Sequence, residues 1–219
     1  MKEIKEFKGI MHRETPCEGN LRIRQQEDGG ESRGIEGVAI VFNKPSQPLY
    51  EDSEMIIREV IAPEAVTRDL LDHSDILATL YHDNTRILAR SFNGSGTLAY
   101  EITEEGVRFS FDAPDTEDGR TALSLVKRGE ISGCSFAFGV DMGDPEAQTR
   151  TVSTEGGKRV VTYTVKKIRM ITDFTLTPRP YYRDTAVGTR LRALEPEDTA
   201  AAARKDAEWI RAIASKNNI

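Results

Sequence analysis

The chain has 219 residues, 38% of them hydrophobic, and a formal net charge of −6. This length suits one globular domain with some additional polar chain, and such a core should fold without metals or disulfides. The negative charge argues against a protein that binds nucleic acid regardless of sequence, which would need a basic surface. No apolar run approaches the roughly 20 residues of a membrane-spanning helix, and the first residues lack the apolar stretch of a secretory signal.

Composition divides the chain into three parts. Residues 1–34 are a polar N-terminal segment, residues 35–190 carry recurring β-prone segments, and residues 191–219 are rich in alanine, with acids early and bases late. The last part predicts a C-terminal helical tail. The two cysteines, Cys17 and Cys134, form neither a disulfide framework nor a paired zinc motif, which fits a reducing, cytosolic setting.

Short β-prone segments separated by turn-forming residues begin at residue 37. The predicted strands cover 37–42, 54–61, 76–82, 86–92, 96–102, 106–112 and 131–140, and two helices are predicted at 62–72 and 116–130. The connecting pieces DNT, NGSG and TEEG are short, so we expect neighbouring strands to form antiparallel hairpins. A polar insert at 142–157 precedes a run at 159–177 that is long enough for one bent or bulged strand.

His82 is one of three histidines, with His12 and His73, and ends the segment ILATLYH just before DNT. A histidine at a strand end beside a turn is commonly a surface residue, so this position alone does not identify a general base. The pair His82–Asp83 with His73 lacks the spacing of a metal site, and no phosphate-binding glycine motif occurs. We therefore expect neither a metal nor a cofactor.

The segment ISGCSFAFGV predicts a strand with one apolar face and one face of small residues. The apolar face would hold Cys134, Phe136, Phe138 and Val140, and the other would hold Gly133, Ser135, Ala137 and Gly139. The Ser135 hydroxyl would then be sterically open, as a nucleophile needs, whereas the Cys134 thiol would be inert in the core. Small residues also let a neighbouring element pack closely, and on the strand pattern alone this packing interpretation is favoured.

Asp173 is the acidic residue on one face of the last predicted strand, if that strand is regular. A carboxylate there could orient a histidine ring and stabilise its protonated form. It could equally be a solvated acid paired with Arg169 or Lys167, which is the usual fate of charges on strands. The strand pattern does not decide between these two interpretations.

The order of several motifs is more specific than any one of them. The chain contains, in this order, EVIAPEAV at 59–66, LYHD at 80–83, ILARSFNGSGTLAYE at 87–101, GVRFSFDAPDT at 106–116, VKRGEISGCSFAFGV at 126–140 and ITDFTLTPRPYYRDTAV at 171–187. Together these motifs resemble the HK97-type prohead (capsid maturation) serine proteases of tailed phages, a family related to herpesvirus capsid proteases. The resemblance implies a mainly β fold with flanking α-helices, built as a closed, mostly antiparallel β-barrel of roughly seven strands.

The resemblance also implies roles for individual residues. His82 takes the general-base position, Ser135 the nucleophile position and Asp173 the position where the family usually has glutamate. Because aspartate is one methylene shorter, it would need a closer strand or a bridging water to reach the histidine. Backbone N–H groups near the PRP turn at 178–180 are the candidate oxyanion hole.

The implied activity is that of a serine endopeptidase that cleaves the scaffolding part of capsid proteins and itself. Its partners would be the major capsid protein and scaffold as substrates, and further copies of the chain in a homodimer or larger homo-oligomer. It would act inside the immature capsid in the bacterial cytoplasm, without cofactor, nucleic acid or membrane. The tail at 191–219 would place it in the shell or mediate dimerisation. Asp173 stands where the family usually has glutamate, and Ala89 where it usually has glycine. These two differences are compatible with an alternative function, that of an inactive assembly or scaffolding protein with the same fold.

Overall fold

Three β-sheets and two short α-helices make up the fold of the residues described by a computed structural model, namely 10–15, 21–24, 32–141 and 143–178. The strands are β1 (Ile10–Thr15), β2 (Arg22–Ile23), β3 (Gly34–Val41), β4 (Tyr50–Glu51), β5 (Met55–Ile61), β6 (Asp75–Leu80), β7 (Asp83–Phe92), β8 (Ser95–Gly96), β9 (Ala99–Ile102), β10 (Gly106–Asp112), β11 (Gly133–Gly139), β12 (Gln148–Glu155), β13 (Lys158–Val165) and β14 (Met170–Thr177). The helices are α1 (Arg68–His73) and α2 (Glu117–Lys127). Neither helix is long and apolar enough to cross a membrane.

The sheets are mainly antiparallel. The largest has the order β1-β11-β14-β6-β7-β8, the second has the order β2-β3-β10-β9, and the third has the order β12-β13-β5-β4. Only two of the described strand pairs are parallel, β14 with β6 and β13 with β5. The expected mainly β fold is confirmed, and the described residues form few helices.

The expected closed barrel of roughly seven strands is wrong, because a barrel needs its first and last strands to pair. The six-stranded sheet ends at β1 on one side and at β8 on the other, and β8 has only two residues. After β8 the chain leaves this sheet, and β9 pairs with β10 in the second sheet. Within the described part of the chain, all three sheets are consequently open.

One large cluster of buried apolar side chains joins the first two sheets and both helices. The rings of Phe109 on β10 and Phe174 on β14 pack with centroids 6.0 Å apart. Leu71 of α1 and Ala122 of α2 are fully buried in the same cluster. This core fixes the positions of β11 and β14, which carry two of the candidate site residues.

A bulge in β14 determines which of its side chains face the core. Phe138 of β11 lies opposite Ile171, but the preceding residue Ala137 lies opposite Asp173, so Thr172 is the extra residue. Ile171 therefore belongs to the core cluster. Regular alternation would put Ile171 on the same face as Asp173, and this expectation is wrong because of the bulge.

The pairs β6–β7, β7–β8 and β9–β10 are antiparallel, as the hairpin predictions expect. The predicted strand at 96–102 is, however, divided between β8 and β9, which lie in different sheets. The predicted helix at 62–72 is divided into a 3-10 turn, Pro63–Ala65, and α1, which begins after Thr67. The Thr67 side chain accepts a hydrogen bond from the Leu70 N–H, which favours a new helix start there. The predicted helix at 116–130 is confirmed as α2.

Two expectations about the later strands differ from the structure. The run at 159–177 forms two strands in different sheets, β13 and β14, and not one bent strand. The polar insert at 142–157 contains the edge strand β12, whose side chains are mostly exposed and so show no apolar alternation. Strands β1 and β2 lie within the polar segment 1–34. The predicted helical tail at 191–219 lies outside the described residues. The division of the chain into three parts therefore stays a prediction.

Candidate active site

The side chains of Ser135, His82 and Asp173 form one hydrogen-bonded chain. His82 Nε2 lies 2.8 Å from Ser135 Oγ, and His82 Nδ1 lies 2.9 Å from Oδ2 and 3.2 Å from Oδ1 of Asp173. With the ring proton on Nδ1, His82 donates to the carboxylate and leaves Nε2 to accept from the serine hydroxyl. A ring held in this way can act as a general base toward the hydroxyl.

Three adjacent strands bring these residues together. Ser135 on β11 lies opposite Thr175 on β14, and Thr175 lies opposite Thr79 on β6. Asp173 precedes Thr175 by two residues, so both side chains project from the same face of β14. The turn after β6 then carries His82 over this face, where it reaches both Asp173 and Ser135.

The turn that carries His82 has a strained backbone. The predicted turn was DNT at 83–85, but the two-residue loop is Tyr81–His82, between the paired residues Leu80 and Asp83. Both loop residues have positive φ, 59° and 56°. Hairpin loops with two positive φ angles favour Asn-Gly, and a larger side chain there costs about 1–2 kcal/mol per residue. Such strain, at a residue that completes a hydrogen-bonded chain, is typical of functional sites.

Contacts with β14 and α2 hold this turn in place. The His82 N–H donates to Thr175 Oγ1 at 2.8 Å, and the Tyr81 N–H donates to the Leu176 carbonyl at 3.2 Å. The Arg86 guanidinium lies 5.4 Å from the centre of the Tyr81 ring and donates two hydrogen bonds to Asp118 of α2. The hairpin is thus fixed both to the central strand of the site and to a helix.

The site is largely closed to solvent. Ser135 has 0% and Asp173 3% exposure, and the His82 side chain is 13% exposed. The expectation that the Ser135 hydroxyl would be sterically open is wrong for this conformation. Cys134 is buried in the apolar cluster on the other face of β11, as the strand pattern predicts, and its Sγ donates to the Ser135 carbonyl at 3.4 Å.

The other two histidines lie on α1 and on β1. His73 is exposed at the end of α1, where its Nδ1 is 2.9 Å from the Asp69 carbonyl oxygen. His12 lies in β1, with Ala137 of β11 opposite its backbone. Among the described residues, no group of three or more His, Cys, Asp or Glu side chains could hold a metal ion. Of the predicted oxyanion segment 178–180, only Pro178 lies within the described residues.

Sequence reasoning missed two residues of the site. Thr175 and Thr79 connect β14, β6 and the His82 backbone through their hydroxyls. The only signal in the sequence was the position of Thr175 two residues after Asp173, on the same strand face. Threonine is common in strands, so this signal is weak without the pairing register.

The sequence profile of the caudovirus prohead serine proteases matches residues 19–199 of this chain. The chain therefore belongs to the caudovirus prohead serine protease family. Among solved structures, the capsid assembly protease of bacteriophage T4 is similar at 12% sequence identity and a TM-score of 0.44, over 78% of this chain and 98% of that chain. A comparison with curated proteins finds no match.

Proposed function

We propose that this protein is a serine endopeptidase that cleaves the scaffolding part of phage capsid proteins, and itself, during prohead maturation. The observation that carries the proposal is the chain of hydrogen bonds from Ser135 Oγ through both ring nitrogens of His82 to the Asp173 carboxylate. Membership of the prohead serine protease family supports this choice of substrate class. The substrates are then the major capsid protein and scaffold, met inside the immature capsid in the bacterial cytoplasm.

Each residue has a defined role in the proposed reaction. His82 Nε2 takes the hydroxyl proton as Ser135 Oγ attacks a peptide carbonyl, and then donates that proton to the leaving amine as the C–N bond breaks. Water, activated by the same ring, hydrolyses the resulting ester and restores Ser135. Asp173 keeps the ring proton on Nδ1 and stabilises the protonated ring, and this role does not require the carboxylate to accept the proton.

The complete burial of Ser135 favours a second candidate, a catalytically inactive assembly protein with the same fold. Because Ser135 is 0% exposed, a peptide carbonyl can reach its hydroxyl only after a rearrangement of the residues that cover it. The hydrogen-bonded chain of three side chains argues for the protease, because an assembly role alone would not require a buried carboxylate, which is costly to desolvate. Both candidates agree with the family, so cleavage itself must be measured.

The test is the intact mass of the protein and of a co-expressed major capsid protein. Wild type should yield truncated forms of both, and Ser135→Ala should leave both at full length. Ser91→Ala, at another buried serine on β7, is the matched control and should cleave like wild type. Cleavage that persists in Ser135→Ala would show that the nucleophile is a different residue, and full-length wild type would favour the assembly protein.

A further inference from the structure

The Thr175 hydroxyl makes three hydrogen bonds beside the candidate active site. It donates to the Thr79 carbonyl at 3.1 Å, and it accepts from Thr79 Oγ1 at 2.7 Å and from the His82 N–H at 2.8 Å. A hydroxyl has one proton to donate and two lone pairs to accept with, so these bonds use its full capacity. Both threonines are fully buried, and the orientation of the hydroxyl is therefore fixed.

This hydroxyl contacts the part of the site with the least favourable backbone. Tyr81 and His82 both have positive φ, although neither residue is the asparagine or glycine that such a turn favours. Without the Thr175 hydroxyl, the His82 N–H would lose this acceptor, and the backbone at His82 could relax toward more common angles. A change of φ at His82 would swing its ring away from Ser135 and Asp173, because the ring is attached to that same residue.

We propose that Thr175 is a positioning residue, whose hydroxyl holds the His82 backbone in the left-handed conformation that places the ring between Asp173 and Ser135. Strand β14 then acts on His82 at two points: Asp173 binds the ring, and Thr175 binds the backbone. Thr79 acts one step further away, because it orients the Thr175 hydroxyl. This inference rests on the proposed function, since positioning matters only if His82 is the general base.

The test compares Thr175→Val, which keeps the side-chain shape and removes the hydroxyl, with Thr175→Ser, which keeps the hydroxyl. Thr162→Val, on β13 of another sheet, is the control for loss of a strand hydroxyl. One readout is the rate at which a fluorophosphonate probe esterifies Ser135 with release of fluoride. The other is the downfield proton resonance of the His82 Nδ1–H bonded to Asp173, which needs no activity.

Thr175→Val should slow labelling by about tenfold to 10²-fold, the effect of a misplacement near 1 Å, and should weaken or remove the resonance. Thr175→Ser should stay near the wild-type rate and keep the resonance, and Thr162→Val should change neither. If the valine variant fails to fold, Thr175→Cys replaces it in the comparison. A thiol can occupy the place of the hydroxyl but is a poor acceptor of hydrogen bonds.

Two results would overturn the inference. One is a folded valine or cysteine variant with wild-type labelling and an unchanged resonance. The other is an equal loss in the serine and valine variants, which would exclude the hydroxyl as the cause. If wild type itself is not labelled, the resonance alone tests whether Thr175 positions the ring, and the proposed protease function is judged by cleavage of the capsid protein.

Discussion

The Asp173 carboxylate contacts the His82 ring directly, with 2.9 Å between Oδ2 and Nδ1, although the residues are 91 positions apart in the chain. The shorter aspartate therefore needs no bridging water in the position where glutamate is usual for the family. The His82 N–H also donates a hydrogen bond to Thr175 Oγ1 on the same strand, so β14 contacts both the ring and the backbone of His82.

Asp173→Asn should lower the rate of fluorophosphonate labelling by about 10²- to 10⁴-fold, because an amide can donate to Nδ1 and so favours the wrong ring tautomer. Asp173→Glu should retain more activity, since it restores a carboxylate. Asp75→Asn, which changes an acid paired with Arg90 at the surface, is the control and should label like wild type. A wild-type rate in Asp173→Asn would remove this residue from the proposed mechanism.

Cys134 should have no part in the chemistry, because its thiol is buried in the apolar cluster on the other face of the strand. Cys134→Ala should therefore keep the wild-type labelling rate. In a Cys17→Ser background, intact mass after treatment with iodoacetamide should show an unmodified folded protein and a modified unfolded one. Rapid alkylation with loss of activity would instead indicate a cysteine nucleophile.

Phe174 should be a major contributor to the free energy of unfolding, because its fully buried ring packs against Phe109 of the second sheet. Phe174→Ala should destabilise the protein by about 3–5 kcal/mol in urea unfolding. Phe92→Ala, at a side chain that is 53% exposed, should change stability by about 0.5 kcal/mol or less. Similar losses in the two variants would contradict the packing of the first two sheets through Phe174.

Gly119 lies in the first turn of α2, where alanine would ordinarily favour the helix by about 1 kcal/mol. Here a Cβ atom would lie 1.9 Å from the Pro114 carbonyl oxygen, so Gly119→Ala should lower the melting temperature. Ser124→Ala, at an exposed position of the same helix, should leave it unchanged or raise it slightly. A Gly119→Ala protein more stable than wild type would mean that α2 lies further from Pro114.

The pKa of Asp75 is lowered from 3.8 because the Arg90 guanidinium donates two hydrogen bonds to its carboxylate, an effect that outweighs partial desolvation. A lowered folded-state pKa stabilises the fold above the ordinary pKa, and this contribution is lost as the pH falls through the folded value. Asp75→Asn and Arg90→Met should both flatten the acid side of the curve of stability against pH. An unchanged curve in both variants would contradict the pairing.

Much of the candidate site could be predicted from the sequence. Strand alternation in ISGCSFAFGV separated Ser135 from Cys134, and the order of motifs selected His82 from three histidines. These inferences depend on local periodicity and on the resemblance to the family. Neither needs knowledge of which strands pair.

Other features of the fold and the site could not be predicted, because local sequence patterns do not show which distant strands pair. The bulge at Thr172, the parallel pairing of β14 with β6 and the open sheet edges arise from register between distant segments. The turn at Tyr81–His82 was not predicted for another reason. Tyrosine and histidine rarely adopt positive φ angles, so turn propensity favoured the polar residues DNT at 83–85. Turn propensity failed at the position where the backbone is strained.

The place of β14 between β11 and β6 has a consequence for the nascent chain. During synthesis Ser135 and His82 leave the ribosome before Asp173 and Thr175. Strands β6 and β11 have no shared neighbour until β14 pairs with both of them. Closing such long loops is slow compared with forming local hairpins. Until β14 inserts, the Ser135 side chain is an ordinary hydroxyl. Any reactivity that it gains is delayed until β14 joins β11 and β6.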